Sequence, residues 1–121
     1  MSYLVTITQE AEEDLGGIYS YITFSLLSPQ NAKGQIDRIQ KVIQSLDEFP
    51  MRHRLMESEP WKSRGMHVVP CDNFLIFYLV EEKNNKVVIS RILYGKRNLE
   101  KELNSRSRYD KEEKLSALLE F

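Results

Sequence analysis

The stretch Phe74-Leu75-Ile76-Phe77-Tyr78-Leu79-Val80 decides the fold. It is an unbroken apolar run rich in aromatic and β-branched residues, which reads as a central strand covered on both faces. Seven residues are far short of the ~20 that a membrane-spanning helix needs, so no membrane association is expected. Upstream, Asp72-Asn73 is a turn, and Arg64–Val69 reads as a strand stopped by Pro70. Downstream, Lys83-Asn84-Asn85-Lys86 is a second turn leading into Val87–Tyr94 as the last strand. Both connections are too short for a parallel crossover, so the three strands form an antiparallel meander.

The residues before the meander carry a different period. Tyr3–Ile7 is a short first strand, and Thr8 caps a helix whose opening turns hold Glu10, Glu12, Glu13 and Asp14, where negative charge complements the helix dipole. Ala11, Leu15, Ile18, Tyr19, Ile22 and Leu26 follow at helical spacing as one apolar stripe. Gly16-Gly17 inside it implies close approach of another backbone. Ser28-Pro29 starts a second helix, in which Ala32, Ile36, Ile39, Ile43 and Leu46 form a seam, and Phe49-Pro50 ends it. So short a link between the helices predicts an antiparallel αα-hairpin. The fold class is therefore α+β: a short N-terminal strand, an antiparallel αα-hairpin, then a three-stranded antiparallel meander. One sheet face packs on the hairpin, and the other is more open. Residues 1–103 form the body. Residues 104–121 are a C-terminal extension, in which Asp110 and Glu113 resemble a capping box before Leu115, Leu118, Leu119 and Phe121, a short amphipathic helix.

With 121 residues the chain is one domain, and 17 Lys and Arg against 18 Asp and Glu give a net charge of −1. That excludes a protein coated in basic charge for non-specific nucleic-acid binding. The charge is uneven: residues 1–48 hold three bases against seven acids, so the remainder carries +3. Cys71 is alone, which points to a reducing cytoplasm and an ordinary thiol, and Met1–Thr6 does not read as a leader. With only His53 and His67 as histidines, neither a metal site nor a cofactor is expected. Trp61 reads as an anchor for the loop Met51–Lys62, and Glu57 and Glu59 as solvated charges.

Three strings, Arg64-Gly65-Met66-His67-Val68-Val69-Pro70, Asn73-Phe74-Leu75-Ile76-Phe77-Tyr78 and Arg91-Ile92-Leu93-Tyr94-Gly95-Lys96-Arg97-Asn98-Leu99, occur together at the separations seen in one family. In element order, residues 3–103 resemble the RelE/ParE toxins of bacterial type II toxin–antitoxin systems, with the ParE-like branch favoured. The RelE-like branch cuts mRNA in the ribosome with arginines around the scissile phosphate. The resemblance puts one of those arginines on the middle strand, where this chain has Leu75. It puts a second at Arg97, which matches, and the downstream tyrosine falls near Leu103, with Tyr109 displaced. ParE-like members poison DNA gyrase by binding and do no RNA chemistry. The implied partners are a cognate antitoxin and DNA gyrase, in a homodimer or a toxin–antitoxin hetero-oligomer. The alternatives are a RelE-like ribosome-dependent mRNA endoribonuclease, or a non-toxic binding module on the same fold.

The resemblance implies no catalytic residue on the ParE-like branch and makes Arg91, Tyr94, Lys96, Arg97 and His67 the candidate binding residues for target or antitoxin. Each has a plainer reading beside it. Arg91 alternates out to solvent, Lys96 and Arg97 are surface charges near a strand end, His67 is a partly exposed strand histidine, and Tyr94 closes a core edge.

Overall fold

The computed structural model describes residues 2–95. The expected amphipathic helix of the 104–121 extension lies outside them. The order is β1 (Leu4–Ile7), α1 (Gln9–Ser20), α2 (Pro29–Ser45), β2 (His67–Cys71), β3 (Phe74–Glu81) and β4 (Lys86–Tyr94). The strands form one sheet in the order β1-β4-β3-β2. β2, β3 and β4 are the expected antiparallel meander, and β1 adds a parallel edge, Leu4 opposite Lys86 through Ile7 opposite Ile89.

The helical hairpin covers one sheet face. Ala11, Ile18, Ala32 and Ile39 meet Ile76, Tyr78, Val87, Ile89, Ile92 and Tyr94 in the main core. Strand side chains alternate, so Ile89 and Ile92, three apart, belong on opposite faces of a regular strand. They share a face because the pairing slips: Tyr78 sits opposite Ile89 while Phe77 sits opposite Arg91, leaving Ser90 as the extra residue of a β-bulge.

Several elements differ from the sequence reading. α1 gives way at Ser20 to a π-helical turn, Tyr21–Ser25, where the Leu26 N–H donates to Tyr21 O at 3.1 Å. That extra residue rotates the stripe, so Leu26 ends up exposed. Nothing lies within 4 Å of a Cβ built on Gly16 or Gly17, so no backbone approaches closely there. α2 stops at Ser45, ahead of Phe49-Pro50, and the Arg52 guanidinium reaches back to the carbonyls of Ser45, Glu48 and Phe49, occupying acceptors that the helix end leaves open. β2 begins at His67 because Gly65 turns the chain at a φ of 75°. It also runs through Pro70, which an edge strand tolerates.

The second sheet face is not open. The segment between α2 and β2 folds over it, packing Met56, Trp61 and Met66 on Val68, Phe77 and Leu93, with Leu75 and Leu79 partly buried alongside. Trp61 anchors this roof as expected, and the Arg64 guanidinium lies 5.1 Å from its ring. Trp61→Ala should therefore cost about 3–5 kcal/mol of stability and raise binding of an apolar dye to the sheet face. Urea unfolding measures the first. A cost under about 1 kcal/mol would mean the roof is no part of the core.

Candidate functional site

β1 ends at Ile7, so among the described residues the edge of β4 from Ser90 onward has no strand beside it, and α1 takes that place. Thr8 does two jobs here: its hydroxyl accepts from the Ala11 N–H at 3.1 Å, capping α1 as expected, and donates to Ser90 O at 3.0 Å. Two turns on, Asp14 Oδ2 accepts from the Ile92 N–H and from Arg91 Nε, each at 2.9 Å, while Arg91 Nη2 donates to Oδ1 at 3.2 Å. Arg91 is 8% exposed and Asp14 7%. Arg91 thus neither alternates out to solvent nor stands on an open groove wall. It stands opposite Phe77, on the strand face away from Ile92, and its guanidinium meets the Asp14 carboxylate beside the Ile92 N–H.

His67 is also buried rather than partly exposed. Its ring stacks on Tyr78 at 5.2 Å between centroids, and its Nδ1 lies 2.9 Å from His53 O. The Tyr78 hydroxyl donates to Pro50 O at 2.5 Å, and the His53 ring meets Tyr78 edge-on at 6.4 Å. Two histidines and one tyrosine thereby pin residues 50–53 to the sheet. Burial pushes the Tyr78 hydroxyl up to about 12, so it stays a neutral donor. Tyr94 packs edge-on against Phe74 at 6.0 Å and closes the core edge. Lys96 and Arg97 lie outside the described residues.

The structure therefore brings Arg91, His67 and Tyr94 into the interior and does not gather them on one surface. The residue missed by sequence reasoning is Asp14. A charge that complements the helix dipole, it also sits three residues after Ala11 and four before Ile18, inside the buried stripe. An acid at a stripe position signals a buried partner. The β2–β3 turn has a second carboxylate, Asp72, at a left-handed φ of 55°. It accepts from Arg38 Nε at 2.7 Å and Gln35 Nε2 at 2.9 Å, bonds that hold its carboxyl below the ordinary value and tie the turn to α2. Glu59 is held low by the hydroxyl and N–H of Ser63, a local turn contact. Burial pushes the Cys71 thiol up, which fits an ordinary thiol. Among the described residues no group of three metal-ligating side chains occurs.

The family model of the ParE toxin of type II toxin–antitoxin systems matches residues 5–99. The chain belongs to the ParE toxin family. The branch expected from the three strings is thus the one that matches. The fold is shared with solved structures. A chain of the chromosomal ParDE system from P. aeruginosa is 21% identical, with a TM-score of 0.62 over 75% of this chain and 94% of the other. One from the RelBE2 toxin–antitoxin complex of Mycobacterium tuberculosis is 19% identical, with a TM-score of 0.56 over 78% and 99%. A doubly arginine-substituted E. coli RelE in the free state is 10% identical, with a TM-score of 0.56 over 82% and 90%. No curated protein sequence matches the chain significantly.

The loop pinned by the histidines generates a pH prediction. Burial first, then the charges of Arg52 and His67, hold His53 below its ordinary value of 6.5. The unfolded chain consequently takes up this proton before the folded one does. The contribution is complete above about pH 6.5 and fades as pH falls through the folded value. The depressed carboxylates Asp72 and Glu59 add their own losses only at more acid pH. Urea titrations between pH 7.5 and 5 should show a falling stability that His53→Gln flattens. An unchanged slope in that variant would contradict the assignment.

Proposed function

We propose that this toxin stops growth by binding DNA gyrase and holding it in its DNA-cleaved state, and that a cognate antitoxin neutralises it in the cytoplasm. The observation that carries the reading is Leu75. It occupies the middle-strand position at which the nuclease branch is implied to grip phosphate, and it lies partly buried beside the Trp61 and Met66 cluster. A leucine there supplies neither positive charge nor a hydrogen-bond donor to a developing phosphorane. Arg91 supports the same reading, since its guanidinium already serves the Asp14 carboxylate.

The solved relatives are a ParDE system and a RelBE2 complex, and by likeness this chain pairs with an antitoxin. The antitoxin's C-terminal part would wrap the toxin as an amphipathic helix or added strand. Its acids would meet the basic stretch that holds Lys96, Arg97 and Lys101. Toxin and antitoxin then form a hetero-oligomer.

Two tests follow. Translating ribosomes given the purified toxin should show no codon-linked mRNA cleavage, while gyrase and supercoiled DNA should accumulate cleaved complexes that the antitoxin suppresses. Codon-linked cuts would overturn the reading in favour of the endoribonuclease. Arg97→Ala should weaken growth arrest or antitoxin affinity about tenfold, the scale of one lost charged contact. Unchanged arrest together with unchanged affinity would make Arg97 a surface charge only.

A further inference from the structure

The tip of the helical hairpin is apolar and uncovered. Phe24 is 71% exposed and Leu27 82%, with Tyr19 and Leu26 beside them at 43% and 44%. The π-helical turn and a left-handed φ of 51° at Leu27 hold these side chains outward, a backbone state that leucine rarely adopts. Residues 15–32 contain no Asp, Glu, Lys, Arg or His, although 29% of the whole chain is Asp, Glu, Lys or Arg. An occupant of the tip is thus recognised by apolar contact, not by charge.

Two further observations say what that occupant is. The family match stops at residue 99, and the solved relatives are covered over 90–99% of their own length while spanning only 75–82% of this chain. Residues 100–121 are therefore an addition to the family body. The chain also leaves the sheet on the tip side. After β4, the Gly95 N–H donates to Asn73 O at 2.9 Å, and the neighbouring Asp72 is tied to Gln35 and Arg38 in the first half of α2. Gln35 is only about 9 Å along the helix from Pro29 at the tip.

We propose that residues 110–121 of the same chain are the segment that covers this tip, with Leu115, Leu118, Leu119 and Phe121 supplying the apolar contact to Phe24, Leu26 and Leu27. The 14 residues 96–109 connect the two. Fourteen residues reach about 20 Å even as a random coil, enough for the distance required. Tethering sets the tail at an effective concentration on the order of millimolar, which favours the chain's own tail over a second copy at micromolar protein.

Cysteine pairs in the full-length protein, with Cys71→Ser in every case, test this. Under mild oxidation Leu27→Cys with Leu119→Cys should close an intrachain disulfide at least tenfold faster than Lys41→Cys with Leu119→Cys, since Lys41 is an exposed residue about 18 Å along α2 from Pro29. Equal rates, or disulfides mainly between chains, would overturn the proposal. As a second reading, a thiol at Phe24→Cys should react with a soluble reagent about tenfold faster once Leu118→Asp and Leu119→Asp are added. Unchanged reactivity would also overturn it. Neither readout involves gyrase or the antitoxin, so the outcome stands apart from the proposed function.

Discussion

One carboxylate joins the two layers of this protein. Asp14 reaches from α1 to the part of β4 that β1 is too short to pair, and there it accepts from both the Ile92 backbone and the Arg91 side chain. The bulge at Ser90 sets this register: it keeps Ile89 and Ile92 together on the core face, while Arg91, opposite Phe77, meets Asp14 beside the Ile92 N–H. A buried ion pair contributes little net stability against two well-packed apolar groups, because both charges give up water. Losing one member is another matter, since a charge then stays behind in the interior. The pair accordingly acts as a constraint on register and layer orientation.

The same constraint shapes the functional reading. The Arg91 guanidinium is already bonded to the buried Asp14 carboxylate, and His67 is buried and stacked on Tyr78. Among the described residues, the apolar tip of the helical hairpin stays exposed, at Phe24, Leu26 and Leu27.

Much of the fold was legible because period and punctuation agree. The run at Phe74–Val80, the turns at Asp72-Asn73 and Lys83–Lys86, and Ser28-Pro29 each gave one reading, and the meander and hairpin followed. What was not legible depends on non-local pairing. The parallel partner of β1 lies about eighty residues away at Lys86–Ile89, and no local signal names it. The bulge leaves only a faint trace, the three-residue step from Ile89 to Ile92. The roof over the outer face comes from Met56, Trp61 and Met66, which show no period, so the face looked open. Arg91 and His67 are buried, which strand alternation does not foretell, because it assigns faces without knowing what covers them.

The most direct measurement of the central claim is a double-mutant cycle on Asp14 and Arg91, read by urea unfolding. Asp14→Leu and Arg91→Leu should each cost about 3–5 kcal/mol, and the double substitution should recover most of that loss, because no lone buried charge remains. Single costs below about 1 kcal/mol, or losses that simply add in the double variant, would show that the pair does not organise the fold.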